Sequence, residues 1–232
     1  MNGLVTEPLL WLTITVAAYA GGDWIYRATG GIALLNPVVV AITAVAGTLL
    51  VTDTEYARYF EGSRFLHFLL GPATVALAVP LARQGCLLRR YWRALGLALV
   101  AGSVTAVGSA LLLGWLLGLP AASLASMLPK SATTPIAMGV AEGVGGVGSL
   151  TAVLVIIAGL LGAVLGIPLL RACGIRSPMA QGFALGVAAH GLGTARGFQS
   201  GATTGAFAGL GMGLNGILTA LLVPLTVWLF AL

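Results

Sequence analysis

Charged residues are sparse along this chain and divide it into long apolar runs. Pro8–Gly22 lies between Glu7 and Asp23, Ala28–Thr52 between Arg27 and Asp53, and Phe65–Ala82 between Arg64 and Arg83. Ala94–Pro129, Gly143–Leu170, Ser177–Ala195 and Gly197–Leu232 follow. About 20 apolar residues in a helix cross the ~30 Å hydrocarbon core of a bilayer. Ala94–Pro129 is too long for one crossing and predicts a helix near 94–118 followed by a separate element. The later runs predict helices near 149–170 and 203–231. None alternates in the ~10-residue segments of a membrane barrel, so the fold class is all-α, a polytopic integral membrane protein.

Three runs are not simple helices. They are Leu66–Thr74 with Gly71-Pro72, Met127–Pro135 with Pro129 and Pro135, and Ala188–Gly197 with Gly191 and Gly193. Proline removes a backbone donor and clashes with the preceding turn. Broken backbone at membrane depth persists only where protein or a cavity meets its freed groups. Gly71–Val79 aligns without gaps on Lys130–Met138, which predicts interrupted or re-entrant helices and a two-fold internal repeat. The chain then reads as a single transmembrane domain, 1–232, with repeat units about 65–118 and 121–170. Paired interrupted segments are the sequence pointer to a transporter-like binding site.

Composition excludes whole classes of function. Hydrophobic residues make up 59% of the 232, charged residues 7%, and mean hydropathy is +1.04, against roughly 25% charged in a soluble domain. A water-soluble enzyme lacks the surface for this. The pI of 9.8 reflects 11 Lys+Arg against 6 Asp+Glu rather than a dense basic face, so no nucleic acid partner is expected. Met1–Gly22 carries one charge, Glu7, and reads as a retained first helix rather than a signal peptide. Cys86 and Cys173 lie beside arginines and read as free thiols with no metal spacing.

Arginines orient the runs. Arg83, Arg89, Arg90 and Arg93 stand without an acid and belong in the cytoplasm, whereas the 53–64 loop, with Asp53, Glu55 and Glu61, suits the outside. Arg171 and Arg176 reach the cytoplasm only if 121–142 enters the membrane and returns on the same side, which leaves the N-terminus outside.

The chemistry gathers in the interruptions. Lys130 is the chain's single lysine and sits in an apolar stretch beside Ser131, Thr133 and Thr134. It reads as a cationic anchor for a small anion, or as a side chain snorkelling from a helix end. Arg196 could grip a carboxylate through two parallel hydrogen bonds, or mark the membrane edge. His190 could carry a coupling proton or be a packing histidine, with Thr194 between the two. Glu142, the only acid beyond residue 61, could pair with Lys130 or Arg196, carry a proton, or cap the hairpin beside Gly143. His67 reads as an interfacial or core histidine. Asn36-Pro37 reads as a helix cap, and the glycines from Gly201 to Gly216 as close helix packing. No paired-carboxylate motif, HExxH or nucleophile elbow occurs, so neither an enzyme, a metal nor a cofactor is expected.

Pro129-Lys130-Ser131-Ala132-Thr133-Thr134-Pro135, Ala189-His190-Gly191-Leu192-Gly193-Thr194-Ala195 and Leu35-Asn36-Pro37 together resemble the LrgB/CidB/YohK family over nearly the whole chain. That family is also similar to the C-terminal part of the plastid glycolate/glycerate transporter. Where it often carries an acidic or polar residue near the third interruption, this chain has Arg196. The resemblance implies the bacterial inner membrane and a small LrgA- or CidA-type membrane partner. It also implies two roles: antiholin-like control of murein hydrolase and lysis, or transport of small carboxylates. The leading expectation is a secondary transporter of small monocarboxylates such as pyruvate, glycolate or glycerate. Its substrate site is Lys130, Ser131, Thr133, Thr134, His190, Thr194 and Arg196, with Glu142 or His190 for coupling. The alternative is an antiholin-like regulator of murein hydrolase export or activity and cell lysis. A homo-oligomer, a dimer first, is expected in the bilayer.

Overall fold

A computed structural model describes residues 8–32, 35–76 and 78–230. Glu7 and the side chains of His67, Ala73 and Thr74 lie outside the described residues. No strand occurs among the described residues, and the chain is an all-α membrane protein. It divides into two compact units, 1–76 and 77–232.

The first unit holds α1 (Pro8–Ala28), α2 (Pro37–Val51) and α3 (Tyr56–Ala76). Asp23 and Arg27 pair at 2.8 Å, one turn apart, and carry α1 past the expected end at Gly22. Asn36 Oδ1 accepts from the Val38 N–H at 2.9 Å and Pro37 opens α2, which is the expected cap. Trp11 is buried edge-on against Tyr59, with ring centroids 5.8 Å apart. Two expectations change here. The 53–64 loop is largely helix, because hydropathy marks where a chain meets hydrocarbon and not where a helix begins. The expected break at Gly71-Pro72 is also absent: α3 runs through Pro72.

The second unit holds α4 (Ala78–Ala82), α5 (Gly85–Leu116), α6 (Ala121–Met127), α7 (Thr134–Gly143), α8 (Gly148–Ala172), α9 (Pro178–Ser200) and α10 (Ala202–Phe230). α5, α8 and α10 are long and apolar enough to cross a membrane. α5 and α10 run the same way: Leu95 packs with Phe207, Ser103 meets Asn215, and Val107 packs with Val223. α8 runs against them.

Between these helices the chain twice turns back. α6 and α7 form a hairpin over 121–143, closed at its base where the Val147 N–H donates to Ser126 Oγ at 2.7 Å and Thr151 Oγ1 donates to the Ser126 carbonyl at 3.0 Å. The interruption expected at 127–135 is therefore present, as the turn between two short helices. α9 is a second hairpin, folded at Ala189 (φ −128°, ψ 15°) and His190 (φ 42°, ψ −127°). Its arms lie so close that a Cβ on Gly193 would meet the Leu185 carbonyl, and Gly182 and Gly197 both face the Thr204 carbonyl. A long helix followed by a hairpin thus occurs twice, as 85–143 and 148–200, in opposite directions. The resemblance of 71–79 to 130–138 does not extend to local structure, since 71–76 is helix and 130–133 is turn.

The hairpins place the arginines. α9 begins beside the start of α5, where Met179 packs on the cluster of Leu95 and Phe183. Arg83, Arg89, Arg90, Arg93, Arg171 and Arg176 consequently share one end of the second unit, as the charge count required.

Candidate functional site

The first hairpin's tip, 128–133, is a turn set by proline. The Ala132 N–H donates to the Pro129 carbonyl at 3.0 Å, and Leu128, Pro129, Ser131 and Ala132 are buried. Lys130 points to α5, where its Nζ donates to the Ala106 carbonyl at 2.9 Å. Asn215 on α10 donates from Nδ2 to the Ser131 carbonyl at 3.0 Å and its hydroxyl at 3.4 Å. Asn215 Oδ1 in turn accepts from Ser103 Oγ on α5 at 2.6 Å. The Ser131 carbonyl, freed because Pro135 has no N–H to offer it, is thus met by a side chain of α10, where an unmet group would cost several kcal/mol.

The second tip is held differently. His190 Nε2 bonds the Val155 carbonyl of α8 at 3.0 Å, and Thr194 Oγ1 donates to the His190 carbonyl at 2.9 Å. A Cβ on Gly159 would meet the His190 ring, so the glycine provides the close approach. Ala132 and Ala137 of the first hairpin pack on the same Val155. The two tips therefore meet at one turn of α8.

The remaining candidates lie around this centre. Thr133 caps α7, its carbonyl accepting from the Ala137 N–H at 2.9 Å, and Thr134 begins that helix. Arg196 is buried on the second arm of α9 and donates from Nη1 to Gln199 Oε1 at 3.3 Å. Glu142 is exposed at the hairpin's base, its carboxylate lying over Gly148 where α8 begins. An acid at the start of a helix is favourably placed against its dipole. Cys86 and Cys173 are both free and exposed. No group of three His, Cys, Asp or Glu that could hold a metal occurs among the described residues.

Asn215 and Ser103 belong to this centre and were absent from the expected site. The glycine pattern of 201–216 drew attention to packing, and Gly205, Gly211 and Gly216 do give close approaches to Phe198, the Phe183 carbonyl and Ile136, whereas Gly201 and Gly213 face open space. The available signal was a lone amide in a long apolar helix, since such side chains bond across helices.

These features define a class, an all-helical membrane protein whose opposed hairpins meet at a buried polar centre. Within that class the chain belongs to the LrgB-like family, which matches residues 15–229. It is 33% identical over 223 residues to the antiholin-like protein LrgB of Bacillus subtilis (strain 168), covering 96% of each chain. It is 32% identical over 218 residues to the antiholin-like proteins LrgB of Bacillus mycoides (strain KBAB4) and Bacillus cereus (strain B4264), covering 94% of this chain and 95% of theirs. No solved structure matches the chain significantly. These relatives correct the leading expectation: they carry antiholin-like names, so the monocarboxylate transporter gives way to its alternative. Broken helices and a half-buried lysine were insufficient for transport because both are accounted for here by internal bonds, Lys130 to Ala106 and His190 to Val155.

Proposed function

We propose that this chain is an antiholin-like regulator in the bacterial inner membrane, restraining murein hydrolase export or activity and thereby cell lysis. The similarity to antiholin-like relatives along nearly the full length of both chains carries this reading. It acts without catalysis, by engaging a small holin-like membrane protein of the LrgA or CidA type. Lys130, Ser131, Thr133 and Thr134 of the first tip, with His190 and Thr194 of the second, keep the regulator in one shape. Glu142 and Arg196 brace the hairpin base and the second arm.

The test is genetic and enzymatic. Removing the gene from its host should raise murein hydrolase activity in zymograms and speed detergent-induced autolysis, and the cloned chain should restore both. Unchanged lysis and unchanged zymograms on removal would overturn the reading.

A further inference from the structure

A cleft of about 400 Å³ lies between α5 and the first arm of α9. Ala94, Ala98, Gly102 and Ala106 line one wall, and Phe183 and Val187 stand on the other. None of its lining side chains is polar, so a water-soluble ligand would find no hydrogen-bond partner there. Its volume falls within the ~300–1,000 Å³ of ordinary ligand sites. From Ala94 to Ala106 the cleft follows α5 for about 18 Å at ~1.5 Å per residue. That is close to half of the ~30 Å hydrocarbon core, the depth of one leaflet.

Size and charge select the occupant. A partner helix about 10 Å across would displace roughly 1,400 Å³ over that length, far more than the cleft offers. A single hydrocarbon chain, with carbons touching at ~3.5–4 Å, displaces roughly 300 Å³. Arginines stand at one end of the cleft. Arg90 is one turn before Ala94 on the same face of α5, and Arg176 just precedes Met179 at the other wall. Arg90 stacks over Tyr91 at 5.5 Å and Arg93 over Trp92 at 5.4 Å, and Trp92 is exposed, as aromatic residues at headgroup level are. The second unit's only acid, Glu142, is at the opposite end, beside the start of α8. We propose that this cleft holds one acyl chain of an anionic phospholipid, with its phosphate among Arg90, Arg93 and Arg176. The chain's far end then reaches Ala106, whose carbonyl anchors Lys130, so the lipid lies directly against the bond that fixes the first hairpin.

The full-length protein, released from nanodiscs of equimolar phosphatidylglycerol and phosphatidylcholine with identical acyl chains, would be weighed by native mass spectrometry. Retained lipid should be enriched in phosphatidylglycerol at least about fivefold, and Arg90→Gln and Arg176→Gln should each lower that enrichment about fivefold. Arg90→Lys should preserve it. Ala98→Trp, which fills the cleft, should reduce retention of both lipids severalfold while the protein remains monodisperse. Equal retention of the two lipids by the unaltered chain, a comparison that needs no variant, would overturn the proposal. So would undiminished retention in Ala98→Trp, or cross-linking of a photoreactive group at Ala98 to another protein rather than to lipid.

Discussion

The two hairpins of the second unit enter from opposite ends and are broken by different means. The first is broken by its own sequence, because Pro129 and Pro135 cannot donate and the hydroxyls between them favour a turn. Its tip is then secured from outside by Ser103 and Asn215. The second contains no proline at its fold, and a non-glycine residue, His190, takes a backbone conformation that ordinarily suits glycine. What holds it there is tertiary: a ring nitrogen on α8, and glycines that let the arms and α10 approach. One turn is thus chemically obligatory and the other is imposed by packing, so the two should fail in different ways.

The sharpest contrast is steric. A Cβ on Gly186 would run into the Ala208 carbonyl of α10, backbone that has nowhere to move. Gly186→Val should destabilise the protein by about 3 kcal/mol or more, read as loss of monodisperse protein or a collapse of Tm in detergent. Gly139 on α7 faces open space, and Gly139→Ala should instead stabilise by about 0.5–1 kcal/mol. Equal behaviour of the two would erase the distinction between the hairpins.

His190 tests the imposed turn directly. His190→Ala loses the bond to Val155 yet keeps the unfavourable backbone, costing about 2 kcal/mol. His190→Gly loses the same bond but relieves the backbone, so it should be about 1 kcal/mol more stable than the alanine variant. An alanine variant as stable as the glycine one would show that the turn carries no strain. At the first tip the corresponding change is Asn215→Leu, which removes the donor to Ser131 and the acceptor for Ser103. Its cost should be about 1 kcal/mol in thermal unfolding, the ordinary scale of bonds between membrane helices.

These differences explain what was legible beforehand. The prolines of 127–135 were enough to place the turn of the first hairpin. The helix class, the cap at Asn36-Pro37 and the glycine packing of 201–216 were equally readable, since each is a local property. Pro72 misled because a membrane helix can run on through a proline. The reversal at His190 was marked only as an interruption, because its cause lies in α8 and α10, far along the chain. Asn215 is legible only as a lone amide in an apolar helix, because its partners are 84 and 112 residues away. Function followed neither pattern, because a half-buried lysine bonded to a backbone carbonyl looks identical in sequence to one awaiting a substrate.

The gentlest test leaves stability untouched and asks only where the first hairpin sends the chain. Cys86, near the start of α5, and Cys173, at the end of α8, are both exposed. Between them lie α5, the hairpin of α6 and α7, and α8. If 121–143 returns to the side it entered, two crossings separate the cysteines and both emerge at the arginine end. If it crossed, three would separate them. Replacing either cysteine by serine should change Tm negligibly, as surface changes within about ±0.5 kcal/mol do. A membrane-impermeant maleimide should then label each single-cysteine protein from the same side, the cytoplasmic one that the arginines select. Labelling from opposite sides would show that the first broken element spans the membrane, and the two hairpins would no longer be counterparts.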